Sequence, residues 1–511
     1  MNSLIPLINQ AYQYKNKVAI IDENGTYTYE QLLEVSASIA QHLLEQTGKT
    51  DLNETRVAFM AMPNFYYAAI QWGIWQAGGI AVPLGISHPI PEIEYILDDT
   101  QAEVILTTHL YQDFLAPLAQ NSQSRHLLIS NVETLPRQSV ASAKLPEVPA
   151  SRRALIIYTS GTTNRPKGVV TTHEIIRAQI TSLTTAWGWT EHDAILHTLP
   201  LHHVHGIINI LYCSLWSGAR CEMMSKFDAQ KVWDRFTQGE LTLFMAVPTV
   251  YNRLIEFWNK ADRTQKTAMS EGLKSMRLMV SGSAALPVSV LLKWKEISGQ
   301  TLLERYGMTE IGMAISNPLL GERKPGYIGR PLPGVEVQLI GEDGELITGP
   351  DDMGEIRVKS PSLFLEYWGK EVATKGCYDD GWFCTGDIAV RDKDGYYRIL
   401  GRSSVDIIKS GGYKISALEV EEVLRKHPKI AEVAVVGVPN DQWGEQVSAA
   451  IVAQGRKKAI MLDELREWAQ EFLSKYKIPT AMMVVNDLPR NAMGKVTKPS
   501  IVRQFQQKSK K

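Results

Sequence analysis

From Val57 to Pro91 the chain carries no Asp, Glu, Lys or Arg, a run longer than the ~20 apolar residues that cross a bilayer as one helix. A single spanning helix is nevertheless the wrong solution. Pro63, Asn64, Gln71, Gln76, the Gly78-Gly79 pair and Pro83 interrupt the run, and prolines and paired glycines end regular elements. Divided there, it reads as a buried strand (57 to 61), a helix (64 to 77) and a second buried strand (80 to 84), a βαβ unit. Such a unit requires a parallel sheet covered by helices.

The same alternation continues on both sides. Thr28 and Gln31 form a capping box before Leu32, Val35, Ile39 and Leu43, an apolar stripe at helical spacing. The β-rich runs VILTT (104 to 108), ALIIYT (154 to 159), LFMAVP (243 to 248) and MRLMVSG (276 to 282) alternate with helical patterns, as in sheets carrying helices on their faces. Residues 121 to 150 are polar like a linker, but the strand-like LLIS inside them predicts a surface excursion. After Gly321, short strands such as EIRVKS, GWFCTGDIAV and GYYRILG are separated by Gly and Pro turns, which predicts an antiparallel, barrel-like region. From about Arg402 a small α+β module follows, with a helix over 417 to 425, strands EVAVVGVP and VSAAIVAQ, a helix over 462 to 476, and a frayed basic tail, QFQQKSKK. The predicted fold is α/β. Its large N-terminal domain (1 to 401) combines α/β layers with a β-barrel-like region, and a small α+β C-terminal domain (402 to 511) follows.

At 511 residues the chain exceeds what one core organises. Lys plus Arg (54) against Asp plus Glu (55) gives a net charge of -1, without the concentrated positive charge that nucleic-acid binding or a polybasic membrane anchor requires. Cys213, Cys221, Cys377 and Cys384 have no CxxC spacing, which argues against a disulfide framework and a cysteine zinc site. The first residues have neither signal-peptide nor transit-peptide character, so a cytoplasmic location is expected. Nothing in the sequence fixes an oligomeric state.

The densest chemical signal is YTSGTTNRPKG, residues 158 to 168, directly after the apolar ALII. Small hydroxyl residues and glycines after a buried strand let backbone amides surround a polyphosphate, with Lys167 as a point charge. The order Lys-Gly-Val excludes a Walker A loop, which needs Gly-Lys-Ser/Thr. Further along stand LPLHHVHG (199 to 206), SGSAAL (281 to 286), ERYGMTE (304 to 310), GWFCTGD (381 to 387), GRSSVDIIKSGGYKIS (401 to 416) and PRNAMGK (489 to 495). In this order, the seven segments resemble the motifs of the adenylate-forming acyl-CoA synthetases, a superfamily that includes carrier-loading adenylation domains and beetle luciferases.

The resemblance implies a C-terminal domain that rotates against the N-terminal one, and a role for each matching residue. Thr159, Ser160, Gly161, Thr162, Thr163 and Lys167 would hold the ATP phosphates. Tyr306 and Gly307 would face the adenine beside Ser283 and Ala284, since an aromatic face next to a glycine admits a flat ligand. Glu310, after Thr309, matches a magnesium carboxylate, a hard oxygen ligand suited to Mg²⁺. Asp387 and Arg402 would meet the ribose, and Lys495 would place a cation between the acid and the α-phosphate. Ser410, Gly411, Gly412 and Tyr413 would admit the pantetheine of coenzyme A. Ser404 departs from the Asp or Lys that many relatives carry at the hinge.

The implied activity is ligation of a carboxylic acid to coenzyme A through an acyl-adenylate, with ATP, Mg²⁺ and CoA and small-molecule partners only. Residues 304 to 337 and the segments VPTVYNR (247 to 253), MRLMVSGSA (276 to 284) and SSVDIIKSGGYKISALEVE (403 to 421) more narrowly resemble malonyl-CoA synthetases. A second carboxylate in the substrate needs a buried cation. Arg253 and Arg277 are the expected cations, with His203 and His205 lining the acyl side. Malonate is the expected acid, with methylmalonate tolerated. The alternatives are a ligase for a short, fatty or aryl monocarboxylic acid and an enzyme that loads a carrier protein.

Overall fold

The computed structural model describes residues 4–121, 126–137, 143–159, 165–455, 460–490 and 495–508. The charge-free run folds as its interruptions dictate. Strands Arg56–Met60 and Ile80–Pro83 lie parallel, Val57 opposite Ala81, and helix Phe65–Gln76 crosses between them with the Asn64 side chain accepting from the Tyr66 amide. Every residue of that helix except Tyr66 is buried. It packs on helix Tyr29–Thr47, whose start is closed by the Thr28–Gln31 capping box. Gly73 permits the approach: a Cβ there would lie 2.6 Å from Ile39 Cγ2, inside van der Waals contact.

Two sheets form the α/β layers of the large N-terminal domain. The seven-stranded sheet contains the βαβ unit and ends at Leu127–Ile129, which pairs in parallel with Val104–Thr107. The polar stretch around LLIS is thus an excursion of this sheet. The nine-stranded sheet has a parallel centre built from strands Ala194–His197, Leu243–Ala246, Leu278–Ser281 and Leu303–Met308. The turn-rich region gives a five-stranded antiparallel layer, with Glu336–Ile340, Gly354–Lys359 and Trp382–Arg391 along an open path and Tyr397–Arg402 beside the last of them. The smaller C-terminal domain has its own five-stranded sheet and its own buried cores.

Two local expectations fail in the C-terminal domain. The helix expected over 462 to 476 spans only Leu462–Ala469. As far as residue 508 the expected frayed tail is instead helix Lys498–Lys508, because Ile501 and Phe505, one helical turn apart, are buried against Val436, Val438 and Met483; residues 509 to 511 lie outside the described residues. Among the described residues, no helix is long and apolar enough to cross a membrane.

Candidate active site

The parallel strands of the nine-stranded sheet end together, and the segments after His197, Ala246 and Ser281 meet there beside strand Leu303–Met308. Open α/β sheets bind ligands at such ends. Three groups of side chains converge on this edge.

The first joins the N-terminal domain to the approach of the hinge. The Tyr306 hydroxyl donates to Asp387 Oδ2 at 2.6 Å, and Arg402 Nε donates to Asp387 Oδ1 at 3.0 Å and through Nη2 to the Thr385 carbonyl. Asp387 and Arg402 are direct partners across two antiparallel strands. Burial works against the Arg402 charge, but Asp387 outweighs it and raises its pKa. The corner presents an aromatic ring, a carboxylate and a guanidinium. Gly307 leaves no room for a side chain, since a Cβ there would sit 2.1 Å from the Gly312 carbonyl oxygen.

The second group surrounds Glu310. Its Oε1 accepts from the Tyr367 hydroxyl at 2.8 Å, and the Lys167 ammonium lies 4.5 Å from the centre of the Tyr367 ring. Burial raises the Glu310 pKa, while Tyr367, Arg402 and Lys167 oppose that shift. No described Lys or Arg forms an ion pair with Glu310. A buried carboxylate so placed suits a hard cation accompanying a polyphosphate. Thr309 is half-buried beside it. Thr159 pairs with Lys167 across the hairpin that the phosphate-loop motif closes; Ser160, Gly161, Thr162 and Thr163 lie outside the described residues.

The third group is cationic and rich in imidazole. Ser283 has a left-handed backbone, φ +67°. Its Oγ lies 3.1 Å from His205 Nδ1 and accepts from Arg305 Nη2 at 3.4 Å. Arg305 is 3% exposed, and its Nε has no hydrogen-bond partner. Burial lowers its pKa to about 9. A Cβ on Gly282 would lie 2.6 Å from the Arg305 Cζ, so the glycine makes space for the guanidinium. The His203 pKa is pushed down to about 4, first by burial and then by His88 and Lys495. His205 is lowered well below its ordinary value by burial, with Arg305 as the next cause. Both rings are neutral at pH 7. The Lys495 pKa is lowered by burial and by Arg305 and Arg402, with Asp387 opposing. A lysine of the small domain thus stands in the field of the first and third groups.

Other expected residues lie elsewhere. Ala284 is exposed in the loop after Ser283. Gly411 and Gly412, at φ +56° and +84°, turn the hairpin between Ile407–Ser410 and Tyr413–Ser416, a two-residue turn that favours glycine. Tyr413 is exposed there and stacks on Tyr476 at 4.2 Å. Arg253 is exposed on helix Pro248–Lys260.

Arg277 stands apart from these groups. It precedes strand Leu278–Ser281, at the opposite end from Ser283. Its Nε and Nη2 hold Asp193 at 2.7 and 2.6 Å, and Nη1 donates to the Trp187 carbonyl. The buried Asp193 requires that cation, so Arg277 is a structural ion-pair partner. The cation beside Ser283 and His205 is instead Arg305, which the sequence motifs do not single out. Its signal was a charge inside a strand, LERYGM, whose first residues are all buried. Tyr367 escaped as well, because its contact with Glu310 spans 57 residues.

A model of the AMP-binding enzyme family matches residues 7–368, and one of the AMP-binding enzyme C-terminal domain matches residues 419–495. The chain belongs to the AMP-binding enzyme family. Among its relatives, the mitochondrial malonate–CoA ligase ACSF3 of Homo sapiens is 43% identical over 98% of this chain and 92% of that protein. A malonate–CoA ligase of Arabidopsis thaliana is 40% identical over 94% and 85%. The crystal structure of ATP-bound MatB from Rhodopseudomonas palustris, 30% identical, superposes with a TM-score of 0.87 over 99% of both chains. The apo form of the same protein gives 0.78. The chain thus superposes better on that ATP-bound structure than on the apo one.

Proposed function

We propose that this AMP-binding enzyme is a malonate–CoA ligase. The observation that carries the choice of acid is Arg305, a buried guanidinium beside Ser283 and His205 that has no carboxylate partner among the described residues. One malonate carboxylate meets that cation, and the other is left to react.

In the first half-reaction, an oxygen of the free carboxylate attacks the α-phosphorus of ATP. The bond from that phosphorus to the bridging oxygen breaks, giving malonyl-AMP and pyrophosphate. Lys495 offsets the charge as two anions approach. Asp387 accepts from the ribose hydroxyls, Arg402 lies beside the same sugar, Tyr306 covers the adenine, and Thr159 and Lys167 hold phosphate oxygens. Glu310 would hold Mg²⁺, and Mg²⁺ bound with ATP supplies charge neutralisation on the phosphates. Thr309 lies beside that carboxylate. The neutral rings of His203 and His205 line the acyl side without adding charge. In the second half-reaction the thiol sulfur of coenzyme A attacks the malonyl carbonyl, AMP leaves, and the thiol proton passes to solvent. For this step the small domain turns, withdrawing Lys495 and bringing the Ser410–Tyr413 hairpin to the site.

The boundary for that rotation is placed between residues 401 and 402. The pairing changes just after it: Tyr397–Arg402 still pairs with the N-terminal antiparallel layer through Arg402, and Ile407–Ser410 pairs within the C-terminal sheet. A cytoplasmic location is proposed on the four free cysteines, and cell fractionation decides between it and the mitochondrial location in the human relative's name. The deciding assay measures pyrophosphate release with ATP, CoA and malonate, methylmalonate, acetate, octanoate or benzoate, with the thioester identified by mass. Malonate is expected to give the highest kcat/KM. A preference for acetate, octanoate or benzoate overturns the choice of acid.

A further inference from the structure

The segment Ser281–Pro287 carries the strained Ser283 that touches Arg305 and His205. A left-handed non-glycine backbone is strained and persists only where its surroundings hold it. Two carboxylates do so. Glu304 Oε1 accepts from the Leu286 amide at 3.0 Å. Two residues on, Glu422 Oε1 accepts from the Val288 amide at 3.2 Å.

The second contact crosses between domains. Val288 opens helix Val288–Ser298, and the residue at its cap position is Pro287, which has no side-chain acceptor. First-turn amides need such an acceptor. Here it comes from helix Ala417–Leu424 of the small domain, while Arg425 holds the other Glu422 oxygen at 3.2 Å. A carboxylate at a helix N-terminus is favourable both as an acceptor and as a charge. Glu422 is also close enough to Glu304 to raise its pKa, after burial.

We infer that Glu422 is a positioning residue for the adenylation half-reaction, an interdomain latch that fixes the Ser281–Pro287 loop only while the small domain presents Lys495. One docking event then delivers two things: the Lys495 cation to the reacting groups, and the second anchor of the loop that faces the acid. When the small domain turns for the thiol step, the Val288 amide returns to solvent and the loop keeps only its Glu304 anchor. The acid site is thereby firmest when the acid has to be held for attack.

This inference rests on the two-step ligase reading, and its test separates the steps. Acid-dependent exchange between ATP and pyrophosphate reports adenylation; synthetic malonyl-AMP plus CoA reports the thiol step. Glu422→Ala is expected to slow exchange at least fivefold and to raise the KM for malonate more than that for ATP. Its thiol step is expected to match wild type. Glu422→Gln keeps an acceptor oxygen and is expected to retain at least half of the exchange rate. Equal losses in both half-reactions, as from a merely destabilised domain, overturn the latch, as does an unchanged exchange rate in Glu422→Ala. A loss in Glu422→Gln as large as that in Glu422→Ala overturns hydrogen bonding as its means. Exchange is measured with whichever acid wild type prefers, so a wrong acid overturns malonate and leaves the latch standing.

Discussion

Replacing Arg305 by methionine removes the acyl corner's buried charge while keeping a flexible apolar chain. In the free enzyme that guanidinium has a hydroxyl at 3.4 Å and no carboxylate, so the variant breaks no resident ion pair. The bound dicarboxylate is the group that loses a partner. Truncating one member of a buried, hydrogen-bonded charge pair costs about 2 to 5 kcal/mol, and at 1.4 kcal/mol per tenfold a cost of about 2.8 kcal/mol, in the lower half of that range, is a loss of about 100-fold. Arg305→Met is therefore expected to lower kcat/KM for malonate about 100-fold. Its effect on propionate, which has no second carboxylate, should stay within about threefold. The thermal midpoint of the free enzyme should not fall, because an unpaired buried charge is replaced by an apolar group. Steady-state pyrophosphate release with each acid, and a melting curve without ligand, provide the measurements. Equal losses on malonate and propionate would show that Arg305 shapes the site without meeting the second carboxylate. A lower melting point would show that the free protein already compensates the charge.

Lys495→Ala is expected to abolish malonate-dependent exchange between ATP and pyrophosphate while leaving conversion of supplied malonyl-AMP to the thioester within a fewfold of wild type; equal inactivity in both assays removes the lysine's specific role. Glu310→Gln should raise the Mg²⁺ concentration needed for half-maximal activity, because an amide is a weaker ligand for a hard cation, and an unchanged Mg²⁺ titration would make Glu310 structural. Burial pushes His197 down to about 4 and His173 to about 3, so both are neutral in the fold, whereas in the unfolded chain they take a proton near pH 6.5. The unfolded state then binds more protons, and stability present above pH 6.5 is lost as the pH falls towards 4. His197→Gln should flatten the decline in melting temperature between pH 7 and 5; an unchanged slope assigns the acid sensitivity to other groups.

The parts of the fold legible in the sequence are those set by neighbours along the chain. Asn64 caps the helix it precedes, Gly78-Gly79 ends it, and Thr28 with Gln31 closes the helix before it. Each such signal acts over a few residues, so the element follows from the residues that bound it. The C-terminal tail shows where this stops. Its polar composition reads as frayed, and the surface that Ile501 and Phe505 cover comes from residues distant along the chain, Val436 and Val438 of strand Ile430–Asn440 among them.

The two arginines mark the same boundary within the site. Arg277 and Arg305 each stand in an apolar strand segment of the same sheet, and nothing local separates them. What separates them is the end of the strand at which each guanidinium emerges and what waits there. Arg277 finds Asp193, 84 residues away, and its charge is matched inside the fold. Arg305 finds Ser283, held in a strained turn beside a glycine that makes room for it, and its charge stays unmatched. A protein retains a buried cation in that state at a cost to stability, and the compensation comes from a ligand's anion. On the proposed malonate reading, specificity for a dicarboxylate resides less in any motif than in the absence, among the described residues, of a carboxylate opposite Arg305. Ser283→Asp would supply one, and is expected to raise the melting temperature while depressing activity on malonate.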